Sequence, residues 1–329
     1  MGDTIIAGVG GYLPDRVVTN TELAETVDTS DEWIRSRSGI TQRHFAGDDQ
    51  VTSDLAAAAA RKAMDRAGLL PADIGLIIVA TVTPDKTFPS TAVFVQQKLG
   101  CPPGIAFDVS AACSGFLYAL NIAHNFTASD QVKHALIIGA EKLSCFLDWE
   151  DRSTAVLFGD GAGALVLSAV ADTAQNDSAD NPNRPGVKAC FLSANGAWAD
   201  HLYADGGPSS TGTVGHVRMN GREVFRHAVD QISGAVSEAL DRGGVVADDI
   251  DWFVPHQANI RIIDACAKRL SLSAEKIIVT IDQHANTSSA SIPLALEQGI
   301  ETGRITRGQL LVFAALGGGL AWGSALVRY

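Results

Sequence analysis

Two stretches of this chain run through the same succession of parts. In the first, a helical pattern ends in "DRAGLLPADI", an apolar run "LIIVA" follows, a second helical pattern ends in "QQKLG", and another apolar run leads into "DVSAACSGF". In the second, "DRGGVVADDI", "DWFVPH", "AKRLS", "KIIVTID" and "QHANTSSASIP" come in the same order. A repeated order of parts predicts two copies of one supersecondary unit, stacked so that each covers apolar surface of the other.

The apolar runs are short and continuous: "IGLIIVA" (74–80), "GIAFDV" (104–109), "HALIIGA" (134–140), "GALVLSAV" (163–170), "DWFVPH" (251–256), "KIIVTID" (276–282) and "QLLVFAAL" (309–316). Separated by helical stretches, they read as buried strands of α/β layers. The segment "TSDLAAAAARKAMDRAGL" opens on a Ser/Asp cap and is rich in alanine, a strong helix signal. "GREVFRHAVDQISGAVSEALDRGGV" keeps the helical period and ends on glycines. The polar stretch 172–186, rich in Asn, Asp and Pro, is the expected connection, dividing the chain into halves 1–171 and 187–329.

With 329 residues, 46% of them hydrophobic, the chain is long enough to bury two such packed halves. A formal net charge of −12 argues against general nucleic-acid affinity, and an acidic macromolecular partner would need a local basic patch. No apolar run reaches the roughly 18 residues of a membrane span, and "MGDTIIAGVGGYLP" lacks the basic start and long apolar stretch of a secretory signal. The expected location is the cytoplasm. The five cysteines are odd in number and show no CxxC spacing, so neither a disulfide framework nor a zinc site is expected.

Aligning the two repeats places Cys113 and Asn286 at equivalent positions, each after a strand and at the start of a helix, with His256 at the end of the strand equivalent to "LIIVA". The C-terminal strand ends of α/β layers face the site, so the three are expected to converge between the halves. A thiol at a helix N-terminus is expected to have a lowered pKa and to act as a nucleophile. The imidazole of His256 and the amide of Asn286 can both donate to an oxygen that develops negative charge. Glycine backbone N–H groups in "GGGLAWG" (317–323) offer a further oxyanion site. Singly, each feature has a bland reading: a buried cysteine, a capping histidine, a Ser/Thr-rich helix start. "FGDGAGA" (158–164) lacks the spacing of a nucleotide loop and reads as close strand packing.

Taken in order, "GVGGYLPDRVVTN", "DTSDEWIRSRSGI", "TFPS", "DVSAACSGF", "FGDGAGA", "VFRHAV", "VPHQANIRI", "NTSSASIP" and "GGGLAWGSALVRY" resemble the β-ketoacyl-acyl carrier protein synthase III family of the thiolase superfamily. The resemblance implies a five-layer αβαβα fold of two duplicated halves, in a homodimer. It implies an acyltransferase that starts fatty acid synthesis: a primer acyl-CoA acylates Cys113, and malonyl-acyl carrier protein loses CO2 to give an enolate that His256 and Asn286 stabilise. The enolate then attacks the acyl-cysteine. The N–H groups of Cys113 and Gly318 would form the oxyanion hole. CoA enters as a substrate carrier, with no metal or redox cofactor.

By the same resemblance, Trp33 and Arg152 sandwich the CoA adenine, Arg37 contacts a CoA phosphate and Asn259 contacts the pantetheine arm. Phe88 closes the acyl pocket from across a dimer, which favours acetyl or another short primer. For the acidic carrier protein, the expected docking face carries Arg261 and Lys268, seven apart on one helix, joined by Arg269 and Arg226. The chain departs from the family at Ala285, where "HG" is common before the asparagine. The Gly-rich segment from Asn195 to His216 is left as a pocket wall or a flap.

Three rivals are a synthase III-like enzyme of secondary metabolism acting on other acyl-CoAs, a papain-like thiol hydrolase, and a non-enzymatic acyl-CoA binding or scaffold protein, in which Cys113 would not become acylated. The second needs a cysteine motif that this chain lacks.

Overall fold

The computed structural model describes residues 4–170 and 184–329. Of the expected connection 172–186, all but the last three residues lie outside that range.

The N-terminal half is built on a five-stranded sheet: β1 (Thr4–Tyr12), β2 (Leu76–Ala80), β3 (Ile105–Val109), β4 (His134–Glu141) and β5 (Gly161–Ala169), in the spatial order β1-β5-β4-β2-β3. The strands β4, β2 and β3 are parallel, and β5 and β1 are joined to them antiparallel. The C-terminal half has a four-stranded sheet, β6 (Gly186–Ala194), β7 (Trp252–Pro255), β8 (Leu310–Gly317) and β9 (Ala321–Arg328), in the order β7-β8-β9-β6. Only β7 and β8 are parallel. The second sheet repeats the first, down to a single parallel bridge between Phe253 and Ile277 at the place where β3 lies in the first.

That bridge corrects one expectation. "KIIVTID" is not a strand: one residue, Ile277, makes a bridge, and four residues later the chain enters a short helix at Ile281–His284. Conversely β1, β6 and β9 were absent from the expected strands. β1 is interrupted by glycines, and the reason is contact: a β-carbon at Gly10 would stand 2.4 Å from the carbonyl oxygen of Ala59. The glycines of this strand and the alanines of the helix above it let two backbones approach within van der Waals range.

The longer helices are α1 (Asp31–Ser38), α2 (Thr52–Ala67), α3 (Thr91–Leu99), α4 (Gly115–Ala128), α5 (Gly221–Gly243), α6 (Ile260–Arg269) and α7 (Ser291–Glu301), and α2 to α7 form three further layers. α2 and α3 cover one face of the first sheet through Leu55, Ala59, Met64 and Val95. α5 and α6 cover the outer face of the second sheet through Ile232, Val236, Ile263 and Cys266. Between the sheets lie α4 and α7, whose Phe116, Leu120, Ile292 and Leu296 join both sheets in one core. This is the expected five-layer αβαβα arrangement of duplicated halves. Among the described residues no helix is long and apolar enough to cross a membrane.

Candidate active site

The parallel strands β2, β3 and β7 end at one cavity of about 1640 Å³, and the residues directly after them, Thr81, Ser110 and His256, line it. Cys113, His256 and Asn286 all face this space, so the convergence expected from the repeat is present. Its volume exceeds the usual few hundred to 1,000 Å³ of a small-molecule pocket, which leaves room for a long flexible substrate arm.

Cys113 sits in the 3₁₀ turn Ala112–Ser114, between β3 and the first turn of α4, and is 7% exposed. The turn is held tight by Ala112 at φ +46° and by the Ser114 hydroxyl, which donates to the Ala111 carbonyl at 2.7 Å. Burial pushes the thiol up to about 12, against a hydrogen bond from Ser288 that acts to lower it, and the charge of Glu141 adds to the rise. This reverses the expectation of a lowered pKa. A helix end is worth at most about 2 kcal/mol to an anion, whereas withdrawing a thiolate from water costs several kcal/mol on the order-of-magnitude scale of buried groups. The resting residue is therefore a thiol.

His256 follows β7 directly, its N–H donating to the Ala314 carbonyl at 2.8 Å, and it is 3% exposed. Burial drives its pKa down to about 3, so the ring is neutral at physiological pH. Its Nδ1 lies 2.6 Å from the hydroxyl of Ser291. The neighbouring Gln257, fully buried, donates to the carbonyls of Pro255 and Ile278 and accepts from the N–H groups of Thr280 and Ile281. It thereby ties the end of β7 to the segment that leads into Asn286.

Asn286 accepts from the Ser288 N–H at 2.9 Å through Oδ1, which leaves its Nδ2 hydrogens for the cavity. Its own N–H donates to the Leu157 carbonyl at 2.9 Å. The preceding Ala285 has φ +57° and ψ −160°, a conformation that glycine adopts without strain. The loop thus keeps the shape a glycine would give it, at the cost of strain in Ala285.

Gly318 lies in the β8–β9 turn and lines the cavity beside Cys113. The end of β8 presses on the nucleophile's own backbone: a β-carbon at Gly317 would stand 2.5 Å from the Cys113 nitrogen. Beneath the cavity floor, the buried carboxylate of Glu141 accepts from Thr81 Oγ1, the Val82 N–H and Thr83 Oγ1 on one oxygen and from Ser289 Oγ on the other, at 2.9–3.1 Å. It joins the loop after β2 to the loop of Asn286 across the two halves. Sequence reasoning passed over Glu141, Gln257 and Ser291. The only available signal was a charged residue closing the buried run "HALIIGAE" and the serines after Asn286.

Near the cavity mouth, Trp33 and Arg37 project from α1 and both line it. The Arg152 guanidinium lies over the Trp33 ring at 5.2 Å, so the two expected partners of a sandwich meet directly. Asn259 caps α6 through Oδ1 and donates from Nδ2 to the Arg37 carbonyl at 2.9 Å. It holds two helices together, leaving one amide hydrogen for a ligand. The segment from Asn195 to His216, unassigned from sequence, supplies Leu202, Tyr203, Pro208 and Val214 to the cavity wall. Arg218 anchors that wall, pairing with Asp205 at 2.6 Å and with Asp148 at 2.5 Å. Phe88 stands 83% exposed and lies outside the lining of the chain's own cavity.

Of the expected docking residues, Arg226 pairs with Glu223 at 2.7 Å and Arg269 pairs with Asp230. Arg261 stacks over the Phe225 ring at 5.9 Å, and Lys268 is exposed on the same helix, with exposed Asp264 between them. Arg222, at the cavity mouth, is a further cation that sequence reasoning missed.

The family described as 3-oxoacyl-[acyl-carrier-protein] synthase III matches residues 107–181, and its C-terminal part matches residues 240–329. A β-ketoacyl-[acyl-carrier-protein] synthase III of Sphingopyxis alaskensis is 58% identical over 324 residues, 98% of each chain. The crystal structure of 3-oxoacyl-[acyl-carrier-protein] synthase III from Aquifex aeolicus superposes with a TM-score of 0.91 at 46% identity, covering 99% of this chain and 100% of that one. The priming β-ketosynthase of the R1128 polyketide pathway gives 0.90 at 34% identity, covering 98% and 96%. Fold and site together define a condensing acyltransferase of the thiolase-like class. The chain belongs to the β-ketoacyl-acyl carrier protein synthase III family, the condensing enzymes that initiate fatty acid synthesis.

Proposed function

We propose that this enzyme joins a short acyl-CoA primer to malonyl-acyl carrier protein, giving 3-oxoacyl-acyl carrier protein, CoA and CO2. The observation that carries the reading is the meeting of Cys113, His256 and Asn286 in one cavity with both donors buried, where burial keeps His256 neutral. In this division of labour, residues 1–171 supply the nucleophile and residues 187–329 the donors.

The Cys113 sulfur attacks the thioester carbonyl, and the tetrahedral oxyanion rests on the N–H groups of Cys113 and Gly318. Collapse expels the CoA sulfur, which takes the proton that Cys113 gives up. Acylation therefore creates no net charge, which suits a thiol that burial keeps protonated. In the second half-reaction the malonyl carboxylate leaves as CO2, and its bonding electrons form a thioester enolate. Two neutral donors, His256 and Asn286, match an oxygen that gains charge only as the transition state is approached. The enolate carbon then attacks the acyl carbonyl and the Cys113 thiolate departs, to be reprotonated.

Trp33, Arg152 and Arg37 would hold the adenine and phosphates of CoA, and Asn259 the pantetheine arm. A homodimer is supported by the exposed edge of β3 and by Phe88, which a second copy would receive at the end of its acyl pocket. A phenylalanine there favours acetyl or a similarly short primer. Arg261 and Lys268, with Arg226 and Arg269, would meet the acidic carrier. Work in the cytoplasm fits a chain whose described helices do not span a membrane. The similarity to a polyketide priming synthase supports a second reading, in which the same three residues serve another acyl-CoA in secondary metabolism.

Intact-protein mass spectrometry with a panel of acyl-CoAs, on wild type and Cys113→Ser, tests the proposal. A primer mass held as a thioester only by wild type, followed by a 3-oxoacyl mass on the carrier, is expected. The preferred acyl group separates the two readings, and the absence of any acyl mass overturns both.

A further inference from the structure

We propose that Ser291 fixes the tautomer of His256, keeping the ring proton on Nε2 so that the imidazole presents a donor to the cavity. Ser291 is then a positioning residue, acting through the histidine and touching no substrate. The inference rests on the proposed reaction for its consequence, though not for its geometry.

Ser291 and His256 are both buried, and Ser291 Oγ lies 2.6 Å from Nδ1. The same Oγ accepts from the Gln257 N–H at 3.3 Å. A hydroxyl has one hydrogen to give, and among the described residues Nδ1 is the acceptor within hydrogen-bond distance of it. If Nδ1 carried the ring proton, Oγ would accept twice and its own hydrogen would be buried without an acceptor, an arrangement that folded proteins avoid. With the serine donating, Nδ1 accepts and Nε2 carries the proton.

The location of Ser291 adds weight. It opens α7, on the same short segment whose Ser288 N–H orients the Asn286 amide. One stretch of chain therefore sets the polarity of both donors, turning Nδ2 of Asn286 and Nε2 of His256 toward the substrate. Gln257, bonded on its other side to Thr280 and Ile281, fixes the height of that stretch against β7. A consequence separates the half-reactions. A histidine protonated at Nε2 has no lone pair to offer the Cys113 thiol, so acylation does not depend on Ser291, whereas decarboxylation does.

The test reads the tautomer directly, in the ¹⁵N spectrum of histidine-labelled full-length protein, with the His256 signals assigned by their loss in His256→Gln. Wild type is expected to show a bare Nδ1 and a protonated Nε2, and a protonated Nδ1 overturns the proposal whatever the variants do. Ser291→Ala is expected to shift the ring toward a mixture of tautomers. It should also slow malonyl-carrier decarboxylation about tenfold while Cys113 acylation stays within about twofold of wild type. An unchanged tautomer in the variant, an unchanged decarboxylation rate, or an equal loss in both half-reactions overturns it. If wild type is not acylated by any acyl-CoA, the proposed function fails while the spectrum still reports the tautomer.

Discussion

The Arg152 guanidinium rests 5.2 Å from the centre of the Trp33 ring, tethered by a hydrogen bond of 3.1 Å to the Asp28 carbonyl and by that residue's carboxylate at 3.6 Å. An aromatic ring placed between them needs two contacts of roughly 3.5 Å, or about 7 Å in all. Binding of an adenine between the two must therefore swing Arg152 outward, and CoA is expected to change the fluorescence of wild type but not of Trp33→Phe to the same degree. Base stacking is worth about 1–3 kcal/mol, so Trp33→Ala should raise KM for the acyl-CoA about tenfold or more. An unchanged KM would put the adenine elsewhere.

Strain at Ala285 predicts an unusual response to glycine. A non-glycine residue in this conformation costs about 1–3 kcal/mol, while glycine there forgoes a buried methyl worth about 0.8 kcal/mol and gains chain entropy in the unfolded state of roughly 0.5–1 kcal/mol. Ala285→Gly is thus expected to be neutral or stabilising by about 1 kcal/mol, where an ordinary buried Ala→Gly change destabilises. Urea unfolding of both proteins decides it, and a clear loss of stability would mean that the loop carries no strain at this residue.

The buried histidines make folding acid-sensitive. Burial lowers His256 to about 3 and, with the nearby charge of His44, lowers His284 to about 4, both below the value of an exposed histidine. Between those values and about pH 6.5 the unfolded chain binds protons that the folded chain does not. Stability is therefore complete above that range and falls as the pH drops through it, on the order of 1.4 kcal/mol per pH unit for each ring. Urea midpoints measured from about pH 7 to about pH 5 should fall less steeply in His284→Gln. Parallel slopes would show that His284 is not held neutral.

A thiol pushed up to about 12 predicts slow, pH-driven alkylation of the free enzyme. The rate of Cys113 modification by iodoacetamide, followed by mass spectrometry, should still be climbing at about pH 10–11, where an ordinary cysteine with a pKa near 8.5 has levelled off. A plateau below neutrality would restore the helix end as the dominant influence on the sulfur.

Charge on α6 predicts a graded docking effect. Arg269 already has Asp230 as partner, whereas Lys268 stands exposed. Lys268→Glu is expected to raise KM for the malonyl carrier about five- to tenfold, more than Arg269→Glu, without altering acylation. The difference should shrink as salt is added, since exposed charges are screened over about 10 Å at 0.1 M. Equal effects at all salt concentrations would argue against an electrostatic contact.

Most of the architecture was written locally. The repeated order of parts located both halves, the turns after strands located Cys113 and His256, and the repeat itself located Asn286 although "KIIVTID" before it is not a strand, because strand periodicity and helix starts are properties of neighbouring residues. The glycine-broken β1 escaped, since its identity depends on Ala59 pressing on Gly10 from a helix far along the chain. The chemical state of the site escaped for the same reason. Whether Cys113 rests as thiol or thiolate is decided by burial, and no spacing encodes burial. Glu141 meets Ser289 across 148 positions and His256 meets Ser291 across 35, pairings that exist only once the sheets have stacked. The sequence by itself determined which residues arrive at the site. The tertiary structure decided their protonation, their polarity and the room around them, because those depend on what has been excluded from water and on which distant groups replace it.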